Sequence, residues 1–202
     1  LCGKIKFADF FKSVFFLPTI CSSVATTIMW KRMYDLNYGT INQILTTVFG
    51  LEKGINWLSQ ENAVFSIIFM CVLFGFGTSM LLYISAIKGV PSTYYEAAEM
   101  DGANSIQKFI YITVPSVSSI TFYILVTGLI GCLQGFTVYQ VMTNGNPAST
   151  MMPVLLIYKY SGAEYGSFYG YASAMAIVLG IIIAILTALN FWISRKWVHY
   201  ES

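Results

Sequence analysis

The chain has 202 residues, of which 56% are hydrophobic and only 10% are charged, and its formal net charge is +2. Soluble globular domains carry about a quarter charged residues, so this composition excludes an ordinary soluble domain and indicates a membrane protein. The small net charge indicates nothing further about partners, and we expect no nucleic-acid ligand.

Four stretches contain no Asp, Glu, Lys or Arg: residues 13–30, 62–87, 109–158 and 165–194. A transmembrane helix needs about 20 apolar residues, so we predict four spans. The third stretch is too long for one helix, and we place its span near residues 113–138, followed by a weakly polar outer loop. Four spans leave both chain ends on one side, and a seven-to-four excess of Lys and Arg favours that side as cytoplasmic. The seven are Lys4, Lys6, Lys12, Lys88, Lys108, Arg195 and Lys196, and the four are Lys31, Arg32, Lys53 and Lys159.

The first half of the chain shows features that are typical of membrane interfaces and helix packing. Residues 1–12 combine lysines with phenylalanines, as an interfacial anchor does. Apolar spacing predicts a short outer-surface helix from about Thr40 to Phe49. We interpret Trp57 as part of the interfacial aromatic belt, with contact to a partner as the less favoured alternative. Small residues in the second span predict a packing seam, namely Gly75, Gly77, Ser79, Ser85 and Ala86.

The sequence offers no catalytic or metal-binding pattern. Its single histidine, His199, lies in the tail, and neither His-Glu-x-x-His nor Gly-x-Ser-x-Gly occurs. The four cysteines form no Cys-x-x-Cys pair, and we interpret them as small packing residues. They are Cys2, Cys21, Cys71 and Cys132. We therefore expect no enzyme, no metal site and no cofactor.

A polar, charge-bearing segment separates the second and third spans, and its pattern predicts two short helices joined at a glycine. Thr93 and Glu96 have the spacing of a capping box that starts the first helix. Gly102 lies where a helix C-terminus favours a left-handed residue, and Asn104 with Gln107 restarts a second helix. If such an element is held at a membrane surface, it can transmit a movement of a soluble partner to the neighbouring spans.

Gln134 is the most polar side chain inside a predicted span. A buried amide without partners is costly in hydrocarbon, so we expect Gln134 to face the helical bundle or a watery cavity. Two roles remain open, a hydrogen bond between helices and a place in a solute path. For the second role we favour one helix face, since its glycines open space beside an amide that can bind hydroxyl groups. That face comprises Gly131, Gln134, Gly135 and Val138, whereas Phe136 and Tyr139 are expected to pack against neighbours.

The polar segment also carries a known motif. Glu96-Ala97-Ala98, three residues, Gly102, nine residues and then Ile112-x-Val114-Pro115 resembles the EAA motif of permease subunits of binding-protein-dependent ABC importers. The inset Asp101-Gly102-Ala103 is similar to the carbohydrate-uptake branch, and Val114 stands where leucine is usual. Further similarities to sugar permeases lie at Gly39-Thr40-Ile41-Asn42, Trp57-Leu58, residues 142–147 and Gly170-Tyr171-Ala172-Ser173-Ala174. In the third of these, Asn146 replaces a second glycine, and asparagine also tolerates a left-handed conformation.

The resemblance implies an all-α membrane protein, a polytopic helical bundle of the type I ABC importer permease kind. It implies four transmembrane helices and a cytoplasmic helix–Gly–helix loop. Residues 1–202 then form one partial permease domain that lacks the first two of six spans, with 91–115 as the coupling loop. The residues implied in coupling to an ATPase are Glu96, Ala97, Ala98, Asp101, Gly102, Ile112 and Pro115.

The implied function is that of the membrane-spanning subunit of an ATP-driven importer, for a sugar or oligosaccharide, in the cell membrane. The implied partners are cytoplasmic ATP-binding subunits, a second permease subunit, an extracytoplasmic solute-binding protein and membrane lipid. The chain has no phosphate-binding glycine loop, as expected if only the partner binds ATP. One alternative is a secondary transporter, which normally needs ionisable groups that these spans lack. The other is a structural scaffold, which needs no helix–glycine–helix element.

Overall fold

The computed structural model describes residues 7–50, 53–162 and 164–195, and the regular elements in these ranges are helical. The α-helices are α1 (Ala8–Ile20), α2 (Ser23–Met33), α3 (Thr40–Phe49), α4 (Ala63–Gly89), α5 (Ser92–Met100), α6 (Ser105–Lys108), α7 (Val114–Ser116), α8 (Ser118–Leu133), α9 (Thr137–Met142), α10 (Pro153–Tyr160) and α11 (Tyr169–Ser194). A π-helix covers Phe109–Thr113, and a 3-10 helix covers Ala148–Thr150. The predicted all-α class is confirmed, as is the short helix from Thr40 to Phe49. Cys2, Lys4, Lys6, Lys196 and His199 lie outside the described residues.

Two helices, α4 and α11, are long and apolar enough to cross a membrane by themselves. Two further pairs qualify only if each pair is one bent span. The first joins Asp9–Ile20 to Ser23–Met33 with a bend of 100°, and the second joins Ser105–Ser116 to Ser118–Leu133 with a bend of 59°. In the part of the chain that the structure describes, the four predicted spans thus correspond to two continuous helices and two broken ones.

The first predicted span, residues 13–30, is interrupted rather than continuous. The N–H of Cys21 donates to the carbonyl of Pro18 at 3.3 Å, and this tight i→i−3 contact ends α1. Ser22 then takes an extended conformation, with φ −56° and ψ 129°, before α2 begins. The chain therefore changes direction between two apolar segments.

The span predicted near residues 113–138 is not one continuous helix, since the regular helix α8 runs only from Ser118 to Leu133. Pro115 has no N–H to donate to the carbonyl of Tyr111, and the π-helix Phe109–Thr113 ends two residues before it. The hydroxyl of Ser116 donates to the carbonyl of Ile112 at 2.7 Å and satisfies one acceptor in this irregular turn. The regular helix resumes only after the 59° bend.

The segment after α8 is mostly helical, which corrects the prediction of a weakly polar loop: it contains α9, the 3-10 helix and α10. Its tight turn is held by hydroxyl groups, since the Oγ1 atoms of Thr143 and Thr150 lie 2.8 Å apart. Left-handed conformations occur at Asn144 (φ 50°) and Gly145 (φ 74°). Asn146 is not among the positive-φ residues, so the glycine-like role expected for it is wrong.

The chain forms two compact units, and the described part of the first comprises residues 7–17, 76–130 and 183–195. Its helices are joined by side-chain contacts. The hydroxyl of Tyr83 on α4 donates to Thr121 Oγ1 on α8 at 3.1 Å. The rings of Phe122 on α8 and Phe191 on α11 meet edge to face, with centroids 5.0 Å apart. These contacts fix the spans on either side of the helix–glycine–helix segment.

The second unit comprises residues 18–75 and 131–182, with positions 51, 52 and 163 outside the description. Its core is a cluster of buried apolar side chains, Trp30, Tyr34, Ile67, Met70 and Met142. The hydroxyl of Tyr34 donates to the carbonyl of Ser66 at 2.9 Å, which links the end of α2 to the start of α4. The core thus assembles around the broken first span.

Asn42 on α3 organises the polar part of this unit. Its side chain, 3% exposed, accepts from the N–H of Ile55 at 3.0 Å and from Trp57 Nε1 at 2.9 Å. Its amide donates to the carbonyls of Asp35, Leu36 and Ile55. The Trp57 ring also lies 5.7 Å from that of Tyr34, so Trp57 packs inside this unit, a role that neither sequence interpretation included.

The small residues of α4 do not all pack against the rest of the chain. At Gly75 a Cβ atom would meet no other atom within 4 Å among the described residues. Cys71, one turn earlier, is an exposed cysteine outside any disulfide, as are Cys21 and Cys132. A packing seam at Gly75 therefore requires a neighbour outside the described residues.

Candidate coupling site

The first arm of the polar segment is α5, which follows directly from the end of α4. It begins at Ser92, after Pro91 at φ −58° and ψ 134°, and no side-chain hydrogen bond caps it. The predicted capping box of Thr93 and Glu96 is therefore wrong. Proline fixes φ near −65° before the first turn, and this fixed backbone takes the place of a side-chain cap.

The elbow at Gly102 is a Schellman motif. The N–H of Ala103 donates to the carbonyl of Ala98 at 2.9 Å, and the N–H of Gly102 donates to that of Glu99 at 3.1 Å. Gly102 has φ +78°, so the predicted left-handed glycine is confirmed. A Cβ at Gly102 would meet no atom within 4 Å in the described chain, so the requirement for glycine is conformational rather than steric.

The second arm starts with a complete capping box, as predicted. Asn104 Oδ1 accepts from the N–H of Gln107 at 2.8 Å, and Gln107 Oε1 accepts from the N–H of Asn104 at 2.8 Å. This box opens α6, which continues into the π-helix Phe109–Thr113. The Gln107 side chain thus has a structural role in setting the direction of the second arm.

Two side-chain contacts join the arms across the elbow. The hydroxyls of Tyr95 on α5 and Thr113 at the end of the π-helix lie 2.9 Å apart, and Thr113 is 2% exposed. Lys108 Nζ lies 3.3 Å from Glu99 Oε2. The sequence reasoning missed both pairs, because partners 9 and 18 positions apart leave no local pattern. With these contacts, the two arms form one locked element.

The predicted coupling residues divide into an exposed group and a partly buried group. Glu96, Ala97, Asp101 and Gly102 are exposed on α5 and at the elbow, while Ala98, Ile112 and Pro115 are partly buried. In the described residues, no cation lies within ion-pair distance of Glu96. Five of the seven predicted coupling residues thus lie together on α5 and at the elbow. The other two, Ile112 and Pro115, lie at the far end of the second arm.

Large apolar side chains flank this exposed stretch, and the sequence reasoning gave them no role. Met100 is 89% exposed, Ile106 is 69% exposed and Tyr94 is 53% exposed. The signal that could have revealed them is their occurrence in an otherwise polar segment. Exposed apolar groups around a polar centre are typical of a protein-binding surface.

The residues predicted to line a solute path do not share a helix face. The regular helix α8 ends at Leu133, Gln134 is an exposed turn residue, and α9 starts only at Thr137. A Cβ at Gly135 would lie 2.9 Å from the Tyr139 ring. Val138 and Tyr139 pack against the core of the second unit, and the Phe136 ring packs on Tyr158. The helix-face argument for Gly131, Gln134, Gly135 and Val138 is therefore wrong, and their place in a solute path stays a prediction.

No group of three or more potential metal ligands occurs in the ranges 7–50, 53–162 and 164–195.

Comparison with known proteins identifies the chain by family. Residues 8–199 match the model of the binding-protein-dependent transport system inner membrane component. The chain is 36% identical to the probable ABC transporter permease protein YesP of Bacillus subtilis, over 100% of this chain and 65% of that protein. It is 32% identical to the diacetylchitobiose uptake system permease protein NgcF of Streptomyces coelicolor, over 95% of this chain and 55% of that protein.

The fold is also that of a solved transporter. A bacterial ABC transporter involved in the import of the acidic polysaccharide alginate matches with a TM-score of 0.85 and 21% identity, over 97% of this chain and 68% of the matched chain. The chain spans less than two thirds of the length of YesP and NgcF. From the family match and the fold together, the chain belongs to the family of binding-protein-dependent transport system inner membrane components.

Proposed function

We propose that this chain is part of the membrane-spanning subunit of an ATP-driven importer whose solute is a sugar or oligosaccharide. The observation that carries the proposal is the locked helix–elbow–helix, which is exposed along α5 and continuous with α4. The names of relatives support the solute class, since they include uptake systems for diacetylchitobiose, lactose and arabinooligosaccharides.

The proposed partner of the elbow is a cytoplasmic ATP-binding subunit. The exposed carboxylate of Glu96 can accept charge-assisted hydrogen bonds from a basic side chain of that partner. Ala97 beside it allows close approach, and Met100 and Ile106 supply apolar contact area. Because the two arms are joined by Tyr95 and Thr113, a displacement of the elbow moves both arms and the attached spans together.

A second permease subunit and an extracytoplasmic solute-binding protein complete the proposed assembly. The family description names binding-protein dependence, and one solved structure of this fold is a bacterial alginate ABC transporter in complex with a pentasaccharide-bound periplasmic protein. In the proposed topology both chain ends and the elbow are cytoplasmic. The driving force comes from the ATPase, since residues 62–87 and 165–194 contain no ionisable Asp, Glu, Lys or Arg. No observation favours a secondary transporter or a scaffold.

Crosslinking tests the partner directly. A photoreactive amino acid at Ala97 of the full-length protein, expressed with its ATP-binding subunit, should form a crosslink to that subunit whose yield changes when ATP is added. The same amino acid at exposed Glu61, which lies on the opposite side in the proposed topology, is the control. The elbow would be ruled out as the contact if a complex that takes up sugar formed the crosslink equally at Ala97 and Glu61. It would also be ruled out if such a complex formed a crosslink at neither position.

A further inference from the structure

An open pocket of about 420 Å³, with a mostly apolar lining that includes two charged side chains, lies at the C-terminal end of α2, within the second unit. It is lined by Met29, Arg32, Met33, Asp35, Tyr38 and Thr40. Its volume falls within the range of about 300–1,000 Å³ that is typical of small-molecule sites. None of the elbow residues and none of the predicted solute-path residues lines it.

The pocket offers one strong donor and one strong acceptor that do not neutralise each other. Arg32 and Asp35 form no ion pair within 4 Å in the described structure, although the charge of Arg32 acts on Asp35. Asp35 Oδ1 accepts from the N–H groups of Tyr38 at 2.9 Å and Asn37 at 3.0 Å. These backbone hydrogen bonds, and then Arg32, lower the pKa of Asp35, so the carboxylate is ionised at neutral pH.

The wall that carries Asp35 is held rigidly in place. The N–H of Gly39 donates to the Asp35 carbonyl at 3.1 Å, and the buried Asn42 amide donates to the same carbonyl at 3.2 Å. A Cβ at Gly39 would overlap backbone oxygens, so only glycine allows this close approach. A polar group on a fixed backbone binds a ligand at a lower ordering cost than one on a mobile loop.

We propose that this pocket is a binding subsite for one residue of a neutral sugar. Each sugar hydroxyl both donates and accepts, so neighbouring hydroxyls match a guanidinium donor at Arg32 and a carboxylate acceptor at Asp35. The Tyr38 side chain is 82% exposed and offers its ring to the apolar face of the sugar. A small anion would be repelled by Asp35, and a small cation by Arg32.

The subsite rests on the proposed function and adds a place where the solute first meets the permease. In the proposed topology the pocket faces the extracytoplasmic side, from which the sugar arrives. The competing occupant is a surface of the solute-binding protein, and direct binding of free sugar separates the two.

Saturation-transfer NMR on the full-length protein in detergent tests the subsite without any partner subunit. The probes are lactose and diacetylchitobiose at millimolar concentration. We expect wild-type protein to transfer saturation to the protons of at least one sugar, and Asp35→Asn to weaken that binding at least about tenfold, since a hydrogen bond to a charged group contributes a factor of that order. Asparagine keeps the acceptor for the Asn37 and Tyr38 N–H groups, so the turn survives. The matched control is Glu61→Gln, which neutralises an exposed carboxylate outside the pocket and should bind as wild type.

Three results would overturn the subsite. They are the absence of saturation transfer from wild type, unchanged sugar binding in both Asp35→Asn and Arg32→Gln, and loss of solute-binding-protein contact in these variants with free-sugar binding intact. The proposed function fails separately, if the reconstituted assembly shows no ATP-dependent uptake. Even in that case, saturation transfer to the sugar that is lost in Asp35→Asn but kept in Glu61→Gln supports the subsite.

Discussion

Replacement of Gly102 by valine should uncouple ATP hydrolysis from transport while the protein still inserts into the membrane. Gly102 has φ +78°, a conformation that costs an L-residue about 1–2 kcal/mol and a β-branched residue more. Among the described residues no atom lies within 4 Å of the added Cβ, so the expected effect is this backbone cost without a clash. A cost of 1–2 kcal/mol lowers the population of the native elbow by roughly 5–30-fold. The Schellman bonds of Gly102 and Ala103 are lost with that conformation, and the second arm points elsewhere.

The assay is the number of sugar molecules taken up per ATP hydrolysed by the full-length assembly in proteoliposomes. The matched control is Gly102→Asn, because asparagine tolerates the left-handed region and should keep a ratio near that of wild type. Equal expression and equal thermal stability in detergent would show that both variants insert. If Gly102→Val took up as many sugar molecules per ATP as wild type, the elbow geometry would not be what couples the ATPase to transport.

Three further predictions concern other parts of the structure. Asn42→Ala should lower the stability of the full-length protein in detergent by at least about 2 kcal/mol, because it leaves several buried partners unpaired, and an unchanged thermal midpoint would contradict this. A double-mutant cycle of Tyr95→Phe and Thr113→Val should show a coupling energy of about 1 kcal/mol, and strict additivity would mean that the arms are not locked. In a protein without native cysteines, an impermeant thiol reagent should label Glu61→Cys only from outside and Asp101→Cys only from inside, and the reverse pattern would invert the topology.

Local patterns in the sequence were sufficient for the elbow. Gly102 and the pair Asn104–Gln107 act through backbone groups within a few positions, so their types and spacing determine the geometry. The capping box at Thr93 failed because Pro91 competes for the same helix start, and a fixed φ replaces the side-chain cap. At this helix start, spacing alone did not resolve the competition between the two local signals.

The breaks within spans could not be predicted from charge or hydropathy. The turn at Cys21, the bend before Ser118 and the turn at Gln134 all lie between apolar segments, so an uncharged run looks the same with or without them. Contacts between distant positions, such as Tyr95 with Thr113, and Asn42 with Trp57, leave no periodic pattern. The helix-face prediction for Gln134 failed for the same reason. It assumed that the helix continues through Gln134 to Val138, whereas α8 ends at Leu133.

ATP-dependent uptake of a labelled sugar tests the central claim most directly. The full-length protein, its ATP-binding subunits, the second permease subunit and the solute-binding protein are reconstituted into proteoliposomes, with lactose and diacetylchitobiose as probes. The account predicts uptake that requires ATP and the binding protein, and that is strongly reduced when Gly102 is replaced by valine. Uptake driven by an ion gradient without ATP, or no sugar uptake by an assembly that hydrolyses ATP, would contradict it.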